Sequence, residues 1–391
     1  MHEYKWEIIH DFKNVKLSGP LTALYSNQLI QQIANGLLGL FIPVFLYQRL
    51  QSFTLVALYF LVSYGLWFLL VPIGAKMMTA FGIKKSLIIS VVFVAMYYWF
   101  FNFFDSTGDS MFLVFAILAI NMCRMLYWIQ FHTDFAKFTN RKTRGKQISL
   151  FSAIASLVAI FLPLISGFVL ENYSFSMLFI AASFICLVSA MPLVFLPEKK
   201  EEFTFGYFES YKKAFAKKNR KNFISYAADG AQGFVGMVLW PLFIWLVMNE
   251  SYSAMGIVSS VIILGSIVVK LVVGDYTDKF DKRKVMKYGT FLYSLGWVVK
   301  IFVATGFHIF LASTYHSFAA IVMRTPYDAL RYEKAADSGN MVDEYNVLRE
   351  ISLNFGRVLM VVLMMGLLVV TQDINLSFIF AAGISLLINL I

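Results

Sequence analysis

Four residues share one helical face within the fourth long apolar run of the sequence. The face consists of Asn121, Arg124, Trp128 and His132. Their spacings of three, four and four residues place them on the same side of a helix. An ionisable group inside a membrane costs about 2.5–3.5 kcal/mol, so this face is predicted to line a wet cavity in which Arg124 binds a solute. Tyr127 and Trp128 are predicted to pack against the apolar part of that solute. The alternative is an arginine that ties helices together through backbone carbonyls.

Four amide side chains lie on one face of the first apolar run. They are Gln28, Gln31, Gln32 and Asn35. A carboxamide both donates and accepts hydrogen bonds, so this face is predicted to contact a polar ligand. The alternative is that the amides join helices to one another, as polar residues often do in membranes.

A carboxylate lies among glycines in the seventh run. Asp229 belongs to the segment AADGAQGFVG, where small residues allow helices to approach closely or unwind. A desolvated carboxylate in such a place can exchange a proton near neutral pH, so Asp229 is predicted to be the proton carrier. The alternative is a fixed salt bridge to Arg124 or Arg357.

The eleventh and tenth runs add further ionisable groups. Glu350, Asn354 and Arg357 are spaced by four and three residues on one face. We predict that Asn354 and Arg357 bind substrate, while Glu350 either couples protons or forms a gate ion pair with Arg349. His316, in the tenth run, could bind solute and relay protons, although a single histidine is more often a hydrogen-bonded core residue.

The composition excludes several classes of protein. Of 391 residues, 59% are hydrophobic and only 14% charged, with a mean hydropathy of +0.70. Soluble domains carry about 25% charged residues, so a soluble enzyme, a disordered chain and a nucleic-acid-binding module are excluded. The sequence contains neither a metal-ligand cluster nor a nucleophile constellation, and we therefore expect no metal, no cofactor and no enzymatic activity.

Twelve apolar runs are long enough to cross a bilayer as helices, because a crossing needs about 20 residues. The predicted spans are 21–47, 55–75, 87–104, 111–130, 148–170, 175–195, 223–247, 255–273, 285–304, 309–323, 351–370 and 374–391. The tenth run is short and is expected to continue towards Asp328. A β-barrel is excluded because the runs are continuous rather than alternating.

The distribution of basic residues predicts the orientation. Of the 33 Lys and Arg residues, 27 fall before the first span or in every second loop. Because basic loops stay in the cytoplasm, both termini are predicted to be cytoplasmic, in the cell membrane of a prokaryote. The first sixteen residues are predicted to form an amphipathic interfacial helix rather than a signal peptide, and Lys300, near the outer end of the ninth span, is expected to snorkel to the headgroups.

The two parts of the chain repeat weakly. Phe41–Tyr47 (FIPVFLY) matches Leu239–Trp245 (LWPLFIW), and KQISL from Lys146 matches REISL from Arg349, at offsets of about 200 residues. We therefore predict two pseudo-symmetric six-helix halves, residues 1–196 and 223–391, joined by a cytoplasmic loop at 197–222. Parallel repeats of this kind are a transporter architecture with a site at the membrane midplane.

The loop GDYTDKFDKRK resembles the signature loop of the major facilitator superfamily. Its carrying residues are Gly274, Asp278, Lys279, Arg283 and Lys284, and a second, degenerate copy contains Gly74, Lys84 and Lys85, with Met78 where the family has aspartate. Charged groups of this kind can pair with helix ends and acidic residues across the two halves. The loops are predicted to act as a gating latch; the alternative is a solvated, positively charged loop.

The resemblance implies a monomeric secondary transporter in which one half rocks against the other around a central site. The cationic groups in the spans favour an anionic, zwitterionic or amphipathic small organic solute over a metal ion. Arg124 and its neighbours also resemble the basic motif of proton-coupled exporters, which favours export by antiport driven by the proton gradient. Uptake by symport, or a sensor or scaffold that lost transport, are the alternatives, and a membrane-embedded enzyme is less favoured.

Overall fold

The chain folds as an all-α protein. The computed structural model describes residues 18–138, 144–198, 203–277, 281–337, 342–371 and 373–391, and no strand occurs among them. The α-helices of these residues are α1 (Gly19–Leu38), α2 (Ile42–Leu50), α3 (Phe53–Phe81), α4 (Ile83–Thr107), α5 (Met111–Phe138), α6 (Arg144–Asn172), α7 (Phe175–Val188), α8 (Tyr207–Ala214), α9 (Arg220–Phe234), α10 (Trp240–Val247), α11 (Tyr252–Thr277), α12 (Lys282–Lys300), α13 (Gly306–Asp337), α14 (Val342–Thr371) and α15 (Asn375–Ser385). The N-terminal segment that was predicted to be amphipathic lies outside the described residues.

Local sequence determines where several helices begin and end. The Ser52 hydroxyl accepts a hydrogen bond from the Leu55 amide at 3.3 Å, and the Asp281 carboxylate accepts one from the Lys284 amide at 2.9 Å. Such caps pair N–H groups that the first helical turn leaves free. Gly108 ends α4 with a φ of +72°, a conformation that a side chain would strain.

Nine helical stretches of the described residues are long and apolar enough to cross a membrane. They correspond to nine of the twelve predicted spans. The other three predicted spans coincide with the shorter apolar helices Tyr252–Val268 and Asn375–Leu390 and with α12, which carries several lysines. The count of twelve and the cytoplasmic location of both termini therefore stay predictions.

One predicted boundary is confirmed, and others differ from the prediction. The tenth span does continue past Met323, because α13 runs unbroken to Asp337. The predicted central loop contains helix α8, and α9 begins at Arg220 rather than at Phe223. A π-helical turn, Val235–Leu239, interrupts the seventh predicted span between α9 and α10, and such turns are frequent at functional sites.

Most helices pack against helices of the same part of the chain, as α4 does on α5 and α12 on α13. Two long pairs join the first part to the second, namely α6 with α11 and α3 with α14. The predicted division at residues 196 and 222 stays a prediction. These two crossings provide most of the helix packing between the first and second parts.

Glycines allow two of the helix crossings to be very close. A Cβ on Gly167 would lie 2.5 Å from the Tyr252 carbonyl oxygen, and one on Gly256 would lie 2.4 Å from the Pro163 carbonyl oxygen, so α6 and α11 meet backbone to backbone. The same holds for α9 and α14, where a Cβ on Gly356 would lie only 1.8 Å from the Ala227 carbonyl oxygen.

The two ends of the helix bundle are joined by different contacts. We call the end with Lys84 and Arg283 the basic face and the other end the opposite face. At the opposite face the Tyr252 hydroxyl hydrogen-bonds to Gln48, joining α11 to α2. At the basic face the Tyr211 hydroxyl of α8 donates to the Phe68 carbonyl of α3 at 2.7 Å. Both ends of the bundle therefore have polar contacts between distant parts of the chain.

Candidate functional site

Two arginines from different parts of the chain converge on one tyrosine ring. The guanidinium carbons of Arg124 on α5 and Arg357 on α14 lie 5.4 and 5.2 Å from the ring centroid of Tyr64 on α3. Arg124 donates to the Ser63 hydroxyl at 3.0 Å, and Arg357 to the Asn354 side-chain oxygen at 2.9 Å. Within the described part of the chain, no carboxylate forms a salt bridge with either arginine. We call Tyr64, Arg124 and Arg357 the arginine pair site, and it can attract an anionic group.

Asp229 is part of a dense hydrogen-bonded network. Only 6% of its surface is exposed, and Arg324 of α13 donates to its two oxygens at 2.8 and 2.5 Å. The Gln232 amide and the Tyr327 hydroxyl donate to the same carboxylate at 3.0 and 3.3 Å, and Tyr293 donates to Gln232 at 2.7 Å. The carboxylate therefore forms a bidentate ion pair with Arg324.

The partner of Asp229 is thus Arg324, whereas the sequence suggested Arg124 or Arg357. The Asp229 carboxylate is therefore not isolated among apolar side chains. Protonation of Asp229 would remove the charge that holds the Arg324 guanidinium, so proton uptake and weakening of the Arg324 contact are coupled.

Glu350 forms a second ion pair closer to the basic face. Its Oε1 accepts a hydrogen bond from Arg349 at 2.9 Å, and the Trp67 indole approaches its Oε2 at 3.5 Å. Trp67 lies on α3 and Glu350 on α14, so the carboxylate lies at one of the two crossings between the first and second parts. This placement suits a gate ion pair, one of the two roles predicted for Glu350.

The amide face of α1 divides among separate surroundings. Asn35 accepts a hydrogen bond from the Tyr98 hydroxyl at 2.6 Å, and Gln32 lines a cavity described below. The Gln31 side chain is buried, and its nitrogen has no hydrogen-bond partner among the described residues. Gln28 is half-buried. Among the described residues, none of these amides hydrogen-bonds to Arg124 or Arg357.

The predicted face of the fourth span is also divided. Asn121 is buried and donates to the Ile117 carbonyl of its own helix at 2.8 Å, and its contact with substrate stays a prediction. Tyr127 is buried and donates to Asn27 of α1 at 3.1 Å, a contact that the sequence reading missed. Trp128 is 41% exposed and stacks on His132, with 5.8 Å between the two ring centroids. Of this face, only Arg124 belongs to the arginine pair site.

A cavity of about 480 Å³ lies between α1, α6, the π-turn region, α11, α12 and α13. Its lining includes Gln32, Leu162, Trp240, Trp297, Lys300 and His316. The prediction that Lys300 snorkels to the headgroups is wrong. The residue is only 4% exposed, and its ammonium lies 4.1 Å from the ring centroids of both Trp240 and Trp297, because the two indoles flank it on the cavity wall.

His316 is packed between two aromatic rings. Its centroid lies 4.2 Å from that of Tyr293 and 4.6 Å from that of Trp297. A Cβ on Gly296 would lie 2.9 Å from the imidazole, so the glycine makes room for it. The buried Nε2 has no hydrogen-bond partner among the described residues, and a role of His316 in solute binding or proton relay stays a prediction.

The predicted gating loops are only partly described. Gly74 packs against the Met125 backbone of α5, Lys84 donates to the Val194 carbonyl at 2.6 Å, and Lys85 lies 4.0 Å from Glu198. Gly274 falls within α11, Asp278 and Lys279 lie outside the described residues, and Arg283 and Lys284 are exposed at the start of α12. The first copy therefore contacts the segment after α7, and the latch of the second copy stays a prediction.

A family model described as Major Facilitator Superfamily matches residues 24–227, more than half of the chain. The chain belongs to the Major Facilitator Superfamily. Membership makes it a multi-pass membrane transporter of small solutes rather than an enzyme, as the sequence predicted. The curated proteins that were compared contain no match.

Solved structures of superfamily transporters share the fold over almost the whole chain. The nucleoside transporter NupG has a TM-score of 0.66 at 13% identity, and FucP in the outward conformation has 0.63 at 12%; in each case 94% of this chain and 96% of the other are covered. The peptide transporter POT in complex with sulfate has a TM-score of 0.71 at 10% identity, covering 94% and 92%. Identities this low establish the fold alone.

Proposed function

We propose that this superfamily member is a secondary active transporter that moves a small organic solute with a negatively charged group by rocker-switch alternating access. The arginine pair site carries the proposal. Arg124 and Arg357 come from the first and second parts of the chain and share the ring of Tyr64. A solute anion between them would contact both parts at once, as the alternating-access mechanism requires.

The contacts at the two ends of the bundle support alternating access. At the opposite face, Gln48 and Tyr252 join α2 to α11, and the Ser253 amide donates to Glu171 at 3.1 Å. Towards the basic face, the Trp67 indole of α3 approaches Glu350 of α14. For a solute to pass, one set of contacts must open while the other stays closed, and solute binding biases this equilibrium through its different affinity for the two states.

Proton coupling is the driving force that we propose, with Asp229 as the carrier. Protonation of Asp229 would neutralise the partner that holds Arg324 and free a guanidinium beside the transport path. Export by proton antiport is our first choice, on the resemblance of the Arg124 segment to exporters. Uptake by symport is the second.

Arg124→Ala tests the arginine pair site. In proteoliposomes screened with organic anions, the initial flux of the transported solute is expected to fall at least about tenfold, the loss of one charge-assisted contact. Arg220→Ala removes an exposed arginine at the start of α9 and is the matched control, with flux unchanged. Wild-type flux in folded Arg124→Ala would contradict the site, and absence of flux of any solute at any pH would favour the sensor or scaffold.

Asp229→Asn tests the coupling. A pH gradient is expected to stimulate wild-type flux and to leave the flux of the variant unchanged, because an amide cannot exchange the proton. The measurement is solute flux in proteoliposomes with and without an imposed gradient. Full stimulation in the variant would exclude Asp229 as the carrier.

A further inference from the structure

The cavity beside Lys300 is separate from the arginine pair site. Lys300 is the last residue of α12, at the end of that helix nearer the opposite face, whereas Arg124 and Arg357 lie near the middle of α5 and α14. Leu162 of α6 and Trp240 of α10 both line the cavity, so it borders the first and second parts of the chain. Its volume of about 480 Å³ is in the range of small-molecule sites.

The lining of the cavity contains basic groups but no acidic residue that could balance a positive charge. Its lining residues include Lys300 and His316 but no aspartate or glutamate. Among the described residues, Lys300 forms no salt bridge, and its contacts are with the faces of Trp240 and Trp297. Cation–π contacts offset only part of the cost of burying a charge. The ammonium thus retains the capacity to bind an anion.

Several other polar groups on the lining are buried without partners. They are the His316 Nε2, the Trp297 indole N–H, and the hydroxyls of Ser259 and Ser313, none of which has a hydrogen-bond partner among the described residues. Buried polar groups in proteins are normally paired, so an unpaired set on the lining of one cavity indicates a capacity to bind a polar ligand. This observation is independent of the charge of Lys300.

We propose that this cavity binds an organic monocarboxylate with a flat apolar body. The single ammonium of Lys300 matches a single negative charge, and the unpaired hydroxyl and imidazole groups can hydrogen-bond to the carboxylate oxygens or to polar substituents. The indoles of Trp240 and Trp297, with Leu162, supply aromatic and aliphatic surface for the rest of the molecule. The inference rests on the proposed function, because an organic acid of this kind belongs to the class of solute that we propose is transported.

The experiment measures equilibrium binding to the full-length protein in nanodiscs. The probe is indole-3-acetate, and the uncharged isostere is indole-3-acetamide. Wild type is expected to bind the acid saturably and to bind the amide at least about tenfold more weakly. Lys300→Met is expected to bind the acid at least about tenfold more weakly than wild type does. Each change removes one charge-assisted contact between ligand and protein. Lys300→Arg restores binding in part.

Two further variants complete the design. Lys287→Met, an exposed lysine of the same helix, should bind as wild type does. Trp240→Leu removes one aromatic wall and keeps the lysine, with Trp297 still beside its ammonium. Weakened binding of the acid by this variant keeps the proposal testable if Lys300→Met does not fold. Equal affinity of wild type and folded Lys300→Met, equal affinity for acid and amide, or no saturable binding would each overturn the proposal.

The outcomes separate this proposal from the transport function. Flux of another solute that depends on Arg124, without Lys300-dependent binding of indole-3-acetate, would overturn the cavity assignment and leave the transporter intact. Lys300-dependent binding without flux of any solute would support the cavity and overturn the transport proposal.

Discussion

Gly356→Ala is expected to lower the free energy of unfolding by more than about 3 kcal/mol, beyond the usual range for overpacking. The reason is the crossing of α14 and α9. The added Cβ would lie 1.8 Å from the Ala227 carbonyl oxygen and 2.5 Å from its carbonyl carbon, and both are backbone atoms that no rotamer change can move. The two helices would have to separate, which would also disturb Gly230, where a Cβ would lie 2.0 Å from the Leu353 carbonyl oxygen.

Thermal or denaturant unfolding of the purified protein in detergent checks this expectation. Gly366→Ala is the matched control, because Gly366 lies on the same helix with open space around its Cα. Alanine is favoured over glycine in helices by up to about 1 kcal/mol, so the control should be neutral or slightly stabilised. Similar unfolding of the two variants would mean that α9 and α14 do not cross as described.

Asp229→Asn is expected to cost about 3 kcal/mol of stability, at the lower end of the range for removing one partner of a buried ion pair. The carboxylate is almost fully buried, and the variant would leave the guanidinium of Arg324 without its counter-charge. We expect the lower end because 36% of the Arg324 side chain is exposed, so water can solvate part of the freed charge.

The double variant Asp229→Asn/Arg324→Met separates pairing from packing. It should recover part of the loss in a thermal unfolding experiment, since no uncompensated charge remains. Asp105→Asn removes a pair with Arg49, whose side chain is 49% exposed, and should cost less than about 1 kcal/mol. A single Asp229→Asn variant as stable as this control would show that the network adds no net stability.

The sequence was most informative where polarity conflicts with the membrane. Arg124, Asp229 and Arg357 stand out because each is costly in an apolar run, and the structure places each in a polar cluster. The glycines around Asp229 predicted close helix approach, which is confirmed at Gly230. Gly233 has open space around it, so composition alone could not distinguish the two glycines.

Partners across helices could not be predicted. Helical periodicity places residues on a face but does not show which helix that face meets, and so the Arg324 that pairs with Asp229 from 95 residues away was missed. The position of Tyr64 beside the two arginines could not be predicted either, because a tyrosine in an apolar run gives no indication of a binding site. The sequence does contain a signal for the burial of Lys300. Trp297 precedes Lys300 by three residues on the same helical face, where an inward-facing indole can hold the ammonium.

The crossing of α6 and α11 has a consequence for the speed of any conformational switch. Gly167 and Gly256 meet there backbone to backbone, with no side chain between them. At this contact α6 and α11 can slide past each other with a low energy barrier, because no side-chain rotamers there must change as the helices move. The activation barrier would then be set at the two ends of the bundle, where the Gln48–Tyr252 contact and the neighbourhood of Glu350 must be broken and remade.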